Sequence, residues 1–197
     1  MNGVQQYYAR AAQSLAEQYE SLSFETVHHD VLQLLPSPPA RAADIGAGTG
    51  RDAAALSRRG FDVVAVEPVR PLRTVAQRLH AEAPITWVED ALPALDHLTG
   101  PFDLILLSAV WMHLDEEERV QGMQRLYELA APGGRLVITL RHGPLPDNRR
   151  MFDVPVVETV ALAERCGLQQ VQVSQGPDRL GRAEVHWSAL VLQKGQS

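Results

Sequence analysis

The stretch Ala42-Ala43-Asp44-Ile45-Gly46-Ala47-Gly48-Thr49-Gly50-Arg51 constrains this chain more than any other, because an apolar strand there runs straight into a glycine-rich turn that opens a helix. Glycine lets the backbone turn tightly and approach a ligand with no Cβ in the way, and the helix behind it presents unpaired N–H groups. From residue 41 onward, short β-branched runs alternate with helical stretches. That is the pattern of βα units feeding a largely parallel sheet, so the fold class is α/β. Strands are predicted over 42–45, 62–66, 85–88, 102–107, 136–140, 170–174 and 185–192. Helices are predicted over 51–59, closed by Gly60, over 69–81, and over 155–166 with Gly167 behind it. A further helix begins at Asp115, which with Glu118 has the spacing of a capping box. Val120, Met123, Leu126, Tyr127 and Ala130 recur along it at helical spacing, and Pro132-Gly133-Gly134 is expected to end it. Ahead of the first strand, 2–19 and 24–35 read as helical, joined to the sheet by the stiff Pro36-Ser37-Pro38-Pro39.

A length of 197 residues with 45% hydrophobic side chains suits a single domain, an N-terminal helical segment over 1–39 leading into an α/β core over 40–197. The longest near-apolar stretch, 104–112, is about half of the ~20 residues that a membrane helix needs, and no basic-then-apolar leader is visible. A cytoplasmic protein with no membrane partner is expected. Cys166 is the single cysteine, and nothing has the Cys/His spacing of a zinc site, so neither a disulfide nor a metal is expected. A formal net charge of −6 argues against wrapping a phosphate backbone, which rests on many Lys and Arg contacts; no nucleic-acid partner is expected. Oligomeric state stays open, a homodimer included.

Two more elements follow the glycine turn at the ends of later strands. Val63-Val64-Ala65-Val66-Glu67 closes on a carboxylate 21 positions after Gly46, where it can accept both hydroxyls of a ribose. The third element is Val88-Glu89-Asp90-Ala91-Leu92. In the NAD fingerprint the third glycine comes three residues after the second, whereas Arg51 stands at that place here and the spacing is Gly-x-Gly-x-Gly. Asp44-Ile45-Gly46-Ala47-Gly48-Thr49-Gly50 resembles motif I of the class I S-adenosylmethionine-dependent methyltransferases, and the likeness extends over about residues 40–141. The resemblance implies S-adenosylmethionine as cofactor and S-adenosylhomocysteine as its product. It assigns Gly46, Ala47, Gly48 and Gly50 to the cofactor loop, Asp44 to ordering that loop, and Glu67 to the ribose. It sets Pro68 beside the adenine, Asp90 on the adenine amino group, and an Ala91 backbone amide within reach. It also implies a doubly wound, Rossmann-like and mostly parallel seven-stranded sheet with an antiparallel last strand, and an N-terminal helical lid carrying Tyr19.

In that family the segment after the fourth strand lies between cofactor and acceptor; here it reads Ser108-Ala109-Val110-Trp111-Met112-His113. Ser108 falls on the cofactor side. His113, with an unperturbed pKa near ~6.5, is a candidate general base, or else a residue that packs or caps the next helix. Trp111 stacks on adenosine or walls the acceptor, or else belongs to the core. No Asn/Asp-Pro-Pro-Tyr tetrapeptide stands there, which sets aside DNA adenine methylation, and Cys166 is too far along the chain to suggest carbon-5 cytosine chemistry. The fourth-strand ending is similar to that of the tellurite-resistance methyltransferases. After the fifth strand, Arg141, His142, Arg149 and Arg150 form a proline-punctuated basic loop that suggests an anionic acceptor, the alternative being a solvated loop. The reading is an enzyme that transfers a methyl group in line to an oxygen, nitrogen or sulfur of a small-molecule acceptor. Two alternatives stand beside it: a non-catalytic cofactor-binding protein on the same fold, and a nicotinamide-dependent oxidoreductase.

Overall fold

A seven-stranded sheet in the order β3-β2-β1-β4-β5-β7-β6 runs through the computed structural model of the protein, which describes residues 3–10 and 12–196. The strands are β1 (Arg41–Ile45), β2 (Asp62–Val66), β3 (Ile85–Val88), β4 (Phe102–Leu107), β5 (Ala130–His142), β6 (Leu168–Pro177) and β7 (His186–Lys194). Strands β1 to β5 pair in parallel, and β7 runs antiparallel to both β5 and β6. The α/β class expected from the βα alternation is therefore the one observed, and the antiparallel last strand that the family resemblance implies is present.

Both faces of the sheet are covered, which is why its inner strands are apolar at consecutive positions rather than alternate ones. Ala43, Ile45, Ile105 and Leu107 face α6 (Glu116–Leu129) and α7 (Val156–Arg165), whose Met123, Leu126, Leu162 and Ala163 complete one core layer. Ala42, Val63, Ala65, Leu104 and Leu106 face α4 (Arg51–Arg58) together with Phe24 and Val31 of the N-terminal segment. Helix α5 (Arg70–Leu79) receives the N-terminal helices α1 (Gly3–Arg10) and α2 (Ala12–Glu20), with Tyr8 and Ala9 packed on Val69 and Leu72. Residues 2 and 11 of the predicted first helix lie outside the described residues.

Two predicted elements are corrected. The helix expected over 24–35 is only α3 (Phe24–Val27), followed by a 3-10 turn at Leu32–Leu34. Ser23 caps α3 by accepting the Thr26 amide, and the chain breaks so that His28 turns inward onto Asp52 of α4. The second correction concerns Pro132-Gly133-Gly134, which falls inside β5; α6 has already stopped at Leu129. The glycines form an irregularity there: Ala130 pairs with Phe102, Arg135 pairs with Leu104, and a Cβ on Gly134 would meet the Phe102 carbonyl oxygen at 2.7 Å. The end of α6 is held from the last strand, where Lys194 Nζ donates to the Tyr127 and Ala130 carbonyls at 2.9 Å each.

At its start α6 has the capping box that the sequence shows. Asp115 accepts the Glu118 amide at 2.9 Å and Glu118 accepts the Asp115 amide at 2.9 Å. Asp115→Ala is expected to lower unfolding free energy by about 1–2 kcal/mol in urea titrations, and Asp115→Asn to retain most of it. Equal losses in the two variants would mean that the charge on Asp115, and not its cap, holds the helix.

Candidate active site

The glycine turn owes its shape to β2. The amides of Gly46 and Ala47 both donate to the Val66 carbonyl, at 2.8 and 2.9 Å, and Gly46, Gly48 and Gly50 all have positive φ, at 72°, 57° and 82°. Gly46 must also be small: a Cβ there would lie 2.5 Å from Val110 Cγ2, whereas one on Gly48 would find nothing nearer than the Gly46 oxygen at 3.9 Å. Gly50 differs from both. It begins α4 with its back to Trp87 and His80 and lines neither of the cavities described below, so its part is to shape the turn.

Glu67, at the end of β2, accepts the Val69 amide on one oxygen and the Gly48 amide on the other, each at 2.8 Å. Burial pushes its carboxyl upward, with the two amides and Arg73 pulling back. Each oxygen keeps a lone pair for a ligand hydroxyl. Asp90 works the same way at the end of β3, accepting the Ala91 and His97 amides at 2.8 and 2.7 Å. The Ala91 amide, expected to face the cofactor, is thus bonded to its own neighbour, so Ala91 contributes only wall to the crevice.

Two cavities adjoin at the carboxyl ends of β1, β2 and β4. The smaller, about 180 Å³, is lined by Glu67, Pro68, Asp90, Ala91 and the near side of the glycine turn. The larger, about 280 Å³, extends from Asp44 and Ala47 toward β5 and β7. Gly46, Gly48, Tyr8, Tyr19, Ser108 and His113 line both, so the two spaces meet at the fourth-strand ending. Asp44 is buried, accepts the Ala53 amide of α4, and keeps its Oδ2 without a partner; burial and the nearby Asp52 charge push its carboxyl well up. An unpartnered buried acceptor beside an open cavity is where a ligand's ammonium or hydroxyl would be welcome.

After β4 the chain takes a strained turn. Ala109 has φ of 60°, and the Thr139 hydroxyl fixes it by accepting the Ala109 amide at 2.8 Å. Beyond it the backbone sends Trp111 and His113 to different places. Trp111 is 0% exposed, sits against Gly122 of α6 and lines neither cavity. It is a core residue, which removes it from the candidate catalytic set. His113 faces the junction: its Nδ1 lies 2.8 Å from the Arg150 carbonyl and its Nε2 lies 3.2 Å from the Tyr8 hydroxyl. Because a carbonyl only accepts, Nδ1 carries the proton and Nε2 is the basic nitrogen. Burial, with the charges of Arg149 and Arg150, lowers the His113 pKa and so favours the neutral ring.

Three contacts key the N-terminal segment onto the glycine turn and the start of α4, and a fourth joins two of them through Arg51 and Asp52. Thr49 donates to Glu20 at 2.7 Å, Arg51 to the Tyr19 carbonyl at 3.2 Å and to Asp52 at 2.6 Å, and Asp52 meets His28 at 2.8 Å. Burial alone would raise the Asp52 carboxyl, but His28 and Arg51 outweigh it and hold it well below the usual range. Sequence reasoning missed Thr49, Arg51, Asp52 and Thr139. Only Arg51-Asp52 carried a signal, two adjacent charges at the start of an otherwise alanine-rich buried helix.

The basic loop divides in two. Arg141 and Arg149 line the larger cavity, and Arg149 lies over the rings of Tyr7 and Tyr8. His142 lies on the opposite face of β5, bonded to Ser188 at 2.9 Å and stacked on His186, outside both cavities. Arg150 is ion-paired with Asp115 and Glu118, at 2.6 and 2.8 Å, and lines the smaller cavity instead. Neither His142 nor Arg150 is therefore placed to receive an anionic acceptor.

Residues 42–134 match a family described as a methyltransferase domain. An uncharacterised methyltransferase of Mycobacterium bovis is 31% identical over 114 residues, 57% of this chain and 57% of that protein, so the chain spans little more than half the length of this relative. The structure of 1,6-didemethyltoxoflavin-N1-methyltransferase from Burkholderia thailandensis, with its substrate and S-adenosylhomocysteine bound, superposes with a TM-score of 0.75 at 21% identity, covering 97% of this chain and 87% of that one. A TehB-like methyltransferase from Corynebacterium glutamicum gives 0.71 at 21% identity, covering 96% and 97%. At such identities the likeness to the solved structures is one of fold.

Gly46→Ala is expected to cost more than about 2 kcal/mol of stability, combining left-handed strain with the collision at Val110, and Gly48→Ala about 1 kcal/mol from strain alone. Thermal unfolding of the two variants checks this. Equal losses would show that the approach to Val110 is not what reserves position 46 for glycine.

Proposed function

We propose that this chain, whose residues 42–134 match a methyltransferase-domain family, is a class I S-adenosylmethionine-dependent enzyme that transfers a methyl group to a small-molecule acceptor enclosed under its N-terminal helices. The observation that carries the proposal is the junction at Ser108 and His113, where a crevice with nucleoside-binding chemistry opens into a second, larger chamber. The residues present fit the cofactor. Glu67 would take the ribose hydroxyls, Pro68 and Asp90 would border the adenine, and Asp44 with the Gly46–Gly48 turn would hold the amino-acid end. When bound, S-adenosylmethionine supplies a methyl group on a sulfonium, which leaves as the neutral thioether of S-adenosylhomocysteine.

The chain's own work is alignment, exclusion of water and removal of one proton. Tyr8 and Tyr19 line both spaces from the N-terminal side, so an acceptor at the junction is covered by them. His113 Nε2 takes the acceptor's proton once the Tyr8 hydroxyl yields its place, and the Arg150 carbonyl keeps the ring in the tautomer that this requires. Neutral ring chemistry suits the task, since an imidazolium has no lone pair to offer. No helix among the described residues is long and apolar enough to cross a membrane. With the net charge of −6, that supports a dissolved, small acceptor over a bilayer or nucleic acid.

Incubation with labelled S-adenosylmethionine and a panel of small acceptors tests the proposal by release of S-adenosylhomocysteine. With a turned-over acceptor in hand, His113→Ala is expected to lower kcat by about a hundredfold or more while cofactor affinity persists. Because the His113 pKa is lowered, the base stays unprotonated at neutral pH, and the acid limb of the wild-type rate profile is expected below pH ~6.5 and absent from His113→Ala. An unchanged kcat in His113→Ala would leave alignment alone as the source of rate.

A further inference from the structure

The larger cavity carries cationic side chains with no carboxylate partner, whereas the arginine of the smaller crevice, Arg150, is ion-paired. Of the five arginines on its wall, Arg51 is paired with Asp52 at 2.6 Å and Arg182 with Asp178 at 2.7 Å, while Arg179 is exposed and meets His29 at 3.1 Å. Arg141 and Arg149 have no carboxylate within ion-pair distance among the described residues, although Arg141 is only 8% exposed. The hydrogen bonds of Arg141 all leave from one terminal nitrogen, Nη1, to the Pro144 carbonyl at 2.8 Å and the Met151 sulfur at 3.9 Å; its Nε is buried and unpartnered. Arg149 has only tyrosines, meeting the Tyr8 hydroxyl at 3.4 Å and the Tyr19 hydroxyl, and its Nε too is unpartnered. A guanidinium taken out of water without an anion is costly, and two that share a chamber repel each other. Consistent with this, burial and the neighbouring Arg182 and Arg149 charges lower the Arg141 pKa.

The same chamber has a flat apolar wall. Trp187 is the direct cross-strand neighbour of Arg141, and its indole N–H is turned to Asp178 at 2.8 Å, so the ring is fixed without using the cavity for its polar atom. Resting on the methyltransferase reading above, we infer that the acceptor is a small aromatic carboxylic acid, its carboxylate received by Arg141 and Arg149 and its ring set against Trp187. The carboxylate supplies the missing counter-charge, and charge-assisted bonds to a guanidinium are the strong ones. Substrate choice then follows from charge first: an uncharged isostere would leave the buried Arg141 and the half-buried Arg149 both unpaired, the outcome that discriminates most strongly.

The test is calorimetric, on the full chain saturated with S-adenosylhomocysteine, titrated with benzoate, salicylate and 4-hydroxybenzoate and separately with their amides. At least one acid is expected to bind about tenfold or more tightly than its amide, and Arg141→Gln and Arg149→Gln each to remove that preference with S-adenosylhomocysteine affinity unchanged. The unchanged affinity also certifies the fold of each variant, and Arg149→Gln, the less buried site, decides the matter should Arg141→Gln not fold. Equal binding of acids and amides, or no binding by any acid, overturns the inference. So does a loss of S-adenosylhomocysteine affinity in the variants, which would assign the arginines to the cofactor's own carboxylate. Failure of the wild-type protein to bind S-adenosylhomocysteine at all is a distinct result that removes the methyltransferase reading beneath the inference.

Discussion

The carboxylate of Glu67 joins what would otherwise be three independent chain segments. One oxygen holds the Val69 amide, where α5 begins, and the other reaches across to Gly48 in the turn after β1. The backbone bonds from Gly46 and Ala47 to Val66 run beside it, so the glycine turn is registered against β2 before any ligand arrives. Preorganisation of this kind matters because a crevice whose walls must be ordered on binding loses affinity to that ordering. The position of the turn also fixes Val110, Ala109 and hence the place where the two cavities meet.

A second set of buried charges extends that order to the N-terminal helices. Asp44 and Asp52 are both buried and interact, yet they settle in opposite directions: Asp44 upward by burial and the Asp52 charge, Asp52 downward because His28 and Arg51 face it. Removing one partner from such a group leaves a buried charge uncompensated, which is worse than removing the whole group. The N-terminal segment is therefore tied to the glycine turn by the electrostatic needs of the residues at its end, through Arg51, Asp52 and Thr49. That coupling is how helices outside the α/β core come to roof the site with Tyr8 and Tyr19.

Much of this was legible in the chain itself where the signal is local. The glycine turn, the carboxylates ending β2 and β3, the capping box of α6 and the α/β alternation are all short patterns with one physical meaning, and each appears where its spacing put it. What escaped is long-range. Trp111 and His113 are two residues apart, and only the turn at Ala109 decides that one enters the core and the other the junction. Arg141 and His142 are adjacent on a strand, so the two-residue period sends them to opposite faces, a distinction that required β5 to extend as far as His142. Arg150 looked like a free cation until the fold brought Asp115 and Glu118 to it. The α3 region failed for a related reason: helical spacing gave way to the pairing of His28 with Asp52, 24 residues distant.

Calorimetric titration with S-adenosylhomocysteine, with NADH as the control ligand and Glu67→Ala as the site variant, bears most directly on the central claim. The account predicts saturable binding of S-adenosylhomocysteine, none of NADH, and loss of the former in a Glu67→Ala protein that still unfolds cooperatively. Absence of S-adenosylhomocysteine binding, or binding of NADH in its place, would contradict it.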